Sequence, residues 1–159
     1  MARTKAVPGP VSMDALESAR QAVPLVPRPG DDCCGRVQRR GPAATREEAQ
    51  DWLAFLEALN LVSETERGYE RRTVDSTEEP LGCRFRENVY GVREVLDALE
   101  DHPATPDDVF ERTRPIVPTW ERNRHTEWEV VWRDRTQRLL QWAVVFGLAT
   151  VEDGRFTPQ

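Results

Sequence analysis

The chain states one pattern twice. Residues 46–69 (REEAQDWLAFLEALNLVSETERGY) lie without a gap over residues 133–156 (RDRTQRLLQWAVVFGLATVEDGRF). Arg46 falls on Arg133, Gln50 on Gln137, Leu53 on Leu140, Leu61 on Leu148, Phe55 on Trp142 and Tyr69 on Phe156. In both copies apolar residues recur at helical spacing and then pass into a short run around a charged, Gly-containing turn. That change of period predicts an amphipathic helix followed by a two-stranded hairpin. The preceding segments also superpose, at a different offset: Pro27 on Pro103, Asp31 and Asp32 on Asp107 and Asp108, Arg36 on Arg112. The offsets are 76 and 87, so the second copy holds about 11 extra residues, around PIVPTWERNRHT, before its last helix.

Local punctuation places the elements. Ser12 caps a helix over 13–23, which the prolines and glycine of VPLVPRPG end. Asp31 and Asp32 open a short helix through Cys33, Cys34 and Val37 to Gly41. Thr45 with Glu48 forms a capping box for a third helix whose stripe Ala49, Trp52, Leu53, Leu56 and Leu59 faces a core. The second copy is expected to open with one helix over 87–100, followed by a short helix capped at Thr105–Pro106 and a long one over 127–146. The expected organisation is a mobile tail at 1–11, a first unit at 12–74, an acidic linker at 75–85 and a second unit at 86–159. The fold class is mainly α with small β-hairpins.

The order helix, helix, helix, hairpin is carried by TREEAQDWLAFLEALNLVSETERGYERR and by EVLDALEDHPATPDDVFERT with RLLQWAVVFGLATVEDGRFTP. It resembles the winged helix-turn-helix superfamily, most closely in the LNLV and FGLA steps from helix to strand and in the wing tips. The resemblance covers most of residues 12–158 and implies two tandem winged-helix units. For function it implies DNA binding or protein scaffolding, because the superfamily serves both.

Lys5 is the single lysine, against 22 Lys and Arg together, and the formal net charge is −6. Lysine depletion with acidic excess is the surface expected of a salt-adapted microbe, although a GC-rich genome produces the same bias. In concentrated salt the electrostatic part of nucleic-acid binding is weak in any case, so the acidic total does not exclude a DNA binder. The charge is uneven: about +4 over residues 1–46, about −11 over 47–110 and about +1 beyond. Phosphate contacts are therefore expected in the first or last third. No apolar run approaches membrane-spanning length, and the N-terminus lacks an apolar leader, so a cytoplasmic location is expected. Cys33, Cys34 and Cys83 form no C-x-x-C pair, which suits a reducing compartment.

In a winged helix that binds DNA the third helix enters the major groove. Arg46 and Gln50 in the first copy, and Arg133 and Gln137 in the second, could each pair bidentately with a base edge. Arg135 and Arg138 make the second copy the better reader. Arg36, Arg39, Arg40, Arg67, Arg71 and Arg72 are the candidates for phosphate. Against this stands the ordinary reading of a solvated helix face, since Glu47 and Glu57 repel phosphate. Phe55, Trp120, Trp128 and Trp142 are candidates for an aromatic interface with a protein partner or a second protomer, the alternative being that they pack the units. Cys33 and Cys34 fall on Val109 and Phe110 and read as core rather than as a thiol sensor. No Gly-rich phosphate loop, G-x-S-x-G or spaced carboxylate pair is present. His125-Thr126-Glu127 lacks the P-C-x-x-C that a zinc deaminase needs, so no enzyme, metal or cofactor is expected. The leading expectation is a small transcriptional regulator acting on double-stranded DNA, possible as a homodimer. The alternative is a non-catalytic assembly module, like the segregation-and-condensation partners or endosomal sorting subunits built from tandem winged helices.

Overall fold

The computed structural model describes residues 4–73, 81–100, 102–124 and 126–159. The chain divides into two compact units, Met1–Tyr90 and Gly91–Gln159.

In the first unit three helices pack under a hairpin. Helix α1 (Met13–Ala22) starts where the Ala15 amide donates to the Ser12 hydroxyl at 3.0 Å, and buries Ala15, Leu16, Ala19 and Ala22. Helix α2 (Gly30–Arg40) buries Cys33, Cys34 and Val37, as expected from the alignment of the two cysteines with Val109 and Phe110, and stops at Gly41. Helix α3 (Arg46–Ala58) is capped by Thr45, while the Glu48 carboxylate accepts from the Ala44 amide rather than from Thr45. Its buried face is Ala49, Trp52, Leu53, Phe55, Leu56 and Ala58. Asn60 takes φ +63 and ends the helix, and strands β1 (Val62–Thr65) and β2 (Gly68–Arg71) pair antiparallel. Arg28 adds a one-residue third strand: its amide donates to the Tyr69 carbonyl at 3.0 Å and its carbonyl accepts from the Tyr69 amide at 2.7 Å.

Two expectations change here. The predicted helix over 87–100 is two: α4 (Leu81–Asn88) in the first unit and α5 (Val92–Leu99) in the second, parted at Gly91, whose φ of +90 no β-carbon residue adopts comfortably. The expectation from sequence places this break before residue 86. Phe85 of α4 meets Phe55 edge to face, with ring centroids 6.1 Å apart. Asn88 donates to the Ala58 carbonyl, so α4 belongs to the first core. The tail is also tied down from Thr4 onward. Its amide donates to the Asn88 carbonyl, its carbonyl accepts from the Tyr90 amide, and Val7 is buried. Linker residues 74–80 lie outside the described residues.

In the second unit α5 presents Val92, Val95, Leu96 and Leu99 to the core. Helix α6 (Pro106–Thr113) opens with a closed capping box between Thr105 and Asp108, both bonds at 3.2 Å, so two of its orphan amides are satisfied reciprocally. The extra residues of this copy then form a 3-10 turn (Arg114–Ile116) and helix α7 (Thr119–Arg124), where the change of offset predicts an insertion. The 18-residue helix α8 (Trp128–Val145) ends at Gly147, φ +75, and leads into strands β3 (Ala149–Glu152) and β4 (Arg155–Pro158). Their turn has Asp153 and Gly154 both at positive φ, the twist that a two-residue hairpin requires.

The repeat holds at the level of single hydrogen bonds. Ala104 bridges Phe156 as Arg28 bridges Tyr69, at offsets of 76 and 87. Leu61 donates to the Leu56 carbonyl, and Leu148 to that of Ala143. Arg72 donates to the Leu61 carbonyl, and Gln159 to that of Leu148. Leu53 and Leu140 are both buried.

Candidate nucleic-acid interface

The arginines that open the third helices are each ion-paired to the neighbouring second helix, Arg46 while remaining exposed and Arg133 while half-buried. Arg46 at the start of α3 is ion-paired with Asp31 on α2. Its counterpart Arg133 on α8 bridges to Asp107 at 2.8 Å and Glu111 at 3.2 Å on α6, and its guanidinium lies 4.7 Å from the Phe110 ring centroid. The same strap ties second helix to third in each unit. A guanidinium paired with a carboxylate on the neighbouring helix has part of its charge offset and some of its donors engaged, so bidentate base reading by Arg46 and Arg133 competes with that strap.

The remaining candidates separate into two groups. Arg39 and Arg40 close α2, Arg67 sits at the tip of the first wing, and all three are exposed and make no ion pair among the described residues. Arg72 is half-buried, and Arg36 pairs with Asp32 at 3.5 Å. Arg71 is half-buried and donates to the Gln21 side chain. Gln50, Gln137 and Arg138 are exposed, while Arg135 lies with its guanidinium 5.0 Å from the Trp132 ring centroid.

The outward side of α3 is acidic: Glu47, Asp51 and Glu57 are exposed beside Gln50. Burial, then the neighbouring Glu64 charge, raises the Glu57 carboxyl above the ordinary glutamate range. Carboxylates on that face oppose the close approach of phosphate. Periodicity shows which residues face out, but the carboxylate that occupies Arg46 belongs to another helix, well away along the chain.

The aromatic candidates also divide. Phe55 and Trp142 are fully buried within this chain, so neither presents a surface to a partner, correcting that expectation. Each faces the core because the helix carries apolar residues over more than the narrow stripe read from sequence. Trp128 is half-buried between two guanidinium groups. That of Arg122 lies 4.7 Å from its ring centroid and that of Arg114 lies 5.3 Å from it. Hydrogen bonds from Arg114 lower the Glu111 carboxyl below its usual range. Trp120 is 52% exposed.

Burial raises both vicinal thiols, Cys33 and Cys34, above the usual cysteine range, and both side chains pack in the core. Among the described residues no cluster of three or more His, Cys, Asp or Glu side chains is placed to hold a metal ion. No described helix is long and apolar enough to cross a membrane. His125, part of the deaminase-like triplet, lies outside the described residues.

No curated protein and no solved structure matches the chain. The family model for the halobacterial double winged helix domain matches residues 2–159, spanning both copies and the segment that joins them. With two helix-helix-helix-hairpin units built on the same internal hydrogen bonds, the chain belongs to the halobacterial double winged helix domain family.

Proposed function

We infer that the protein is a DNA-binding module of the regulator type. Its duplex contacts are made to phosphate, by Arg39 and Arg40 at the end of α2 and by Arg67 at the wing tip. The observation supporting this most directly is the division among the arginines. Those that open the third helices are ion-paired with carboxylates, whereas these three, exposed in the segments that border α3 in sequence, make no ion pair among the described residues. Contacts of this kind position a protein on a duplex without reading its sequence. Binding should therefore be tolerant of sequence and sensitive to salt, with log affinity falling by about 0.9 per contact per log unit of salt.

The test is retention of a labelled duplex over a salt series. Arg39→Glu with Arg40→Glu, and separately Arg67→Glu, should weaken retention and flatten the salt dependence; Arg46→Ala should not. A wild-type chain that retains no duplex even at low salt removes the reading. A second reading, a non-catalytic assembly module, is favoured by the acidic face of Glu47, Asp51 and Glu57, which suits a basic protein surface better than DNA. Failure of the wild type to retain DNA leaves that alternative standing.

A further inference from the structure

Helix α8 begins at Trp128, five residues ahead of Arg133, the counterpart of the first residue of α3. The added turns expose two valines, Val130 at 56% and Val131 at 50%. On the same side of the helix the spacing 130, 134, 137, 141, 144 alternates four and three residues, the interval at which one stripe faces a second helix. That stripe is apolar at both ends, Val130 and half-buried Val144, and polar in the middle, where Asp134, Gln137 and Gln141 are exposed.

We propose that this face of α8 pairs with the same face of a second copy of the chain, antiparallel, with Gln137 on the two-fold axis. Running the stripe against itself in the opposite direction sets Val130 across from Val144 of the other copy and Asp134 across from Gln141. Arg138, exposed beside the stripe, then comes within reach of the other copy's Asp134, about 3 Å further along the helix. A parallel pairing would instead stack Asp134 on Asp134 and Arg138 on Arg138, like charge on like. Apolar ends meet in either arrangement, but the match of opposite charges is specific to the antiparallel one, which closes as a two-fold dimer. The first copy has no equivalent: α3 starts at Arg46, and its outward face is too acidic to meet itself. This inference is independent of the phosphate contacts proposed for the first unit.

The experiment uses the full chain with the exposed Cys83 replaced by serine. Light scattering should give twice the chain mass, and Val130→Asp with Val131→Asp should raise the dimer dissociation constant by about tenfold or more, ~1.4 kcal/mol. Both positions are exposed, so an unchanged circular dichroism spectrum identifies the loss as one of association. Under mild oxidation Gln137→Cys should cross-link to itself, and Val130→Cys should cross-link to Val144→Cys in a mixture but not to itself. Gln38→Cys, exposed in the first unit, controls for random collision. A monomeric wild type overturns the proposal. So does a dimer in which Gln137→Cys reacts no faster than Gln38→Cys. If Gln137→Ala then lowers duplex retention, the face reads bases instead.

Discussion

Replacing Gly68 with alanine isolates the contact that attaches the first wing to its unit. Gly68 has φ +121, and a β-carbon there would lie 1.9 Å from the Arg28 carbonyl oxygen and 2.8 Å from the Pro29 nitrogen. Both obstacles are backbone, so neither can rotate aside. The Arg28 strand must move, breaking the two hydrogen bonds it shares with Tyr69. The strained φ costs about 1–3 kcal/mol, and the two hydrogen bonds contribute about 0.5–1.5 kcal/mol each. Gly68→Ala should therefore lose about 2–6 kcal/mol, the sum of these terms. Gly147 supplies the control. It has φ +75 but nothing within 4 Å of a β-carbon, so Gly147→Ala should cost only about 1–2 kcal/mol. Urea unfolding followed by circular dichroism at fixed salt measures both, and a unit of this size loses ~4–8 °C in Tm per kcal/mol. Equal losses for the two variants would refute the argument, because they would mean that the Arg28 strand carries no stability. Gly68→Ala should also weaken duplex retention, since Arg67 precedes it at the wing tip.

Three more outcomes follow from the geometry. Arg133→Ala should destabilise the second unit by about 1–2 kcal/mol through two surface ion pairs and one cation–π contact, and Arg133→Lys should recover little; chemical unfolding reads both. Glu57 has a raised folded-state pKa, so its ionised form is disfavoured in the fold and its relative stabilisation exists at low pH, fading as pH rises through the folded value. Glu57→Gln should accordingly raise stability at neutral pH and have no effect below the ordinary glutamate range; a loss at neutral pH contradicts this. A thiol reagent should modify one cysteine per native chain, Cys83, with Cys33 and Cys34 reacting only on unfolding.

The duplication and its two offsets were legible because helix and hairpin periods are local, and because capping residues such as Ser12 and Thr105 announce their helices. The position of the insertion was legible for the same reason. What stayed hidden depends on distant partners. The break at Gly91 interrupts an apolar stripe that looks continuous from Val89 to Leu99, and α4 is assigned to the first unit by distant contacts, Phe85 on Phe55 and Asn88 on the Ala58 carbonyl. Arg46 and Arg133 align as a matched pair of candidate readers, yet the aspartates that hold them align equally well at the other offset. Both halves of the strap were visible in sequence. Their pairing required knowing that α2 lies against α3.

The segment added to the second copy is braced from within. Arg122 covers Trp128 and donates to the Arg114 carbonyl at 2.6 Å; Arg114 lies against Trp128 and Phe110 and binds Glu111 and Glu129. Such a stack gives the added segment contacts of its own, while buried Val117 and the ring of Phe110 join it to the scaffold shared by both copies. After the two halves arose, one could acquire or reshape this piece without renegotiating the packing inherited by both.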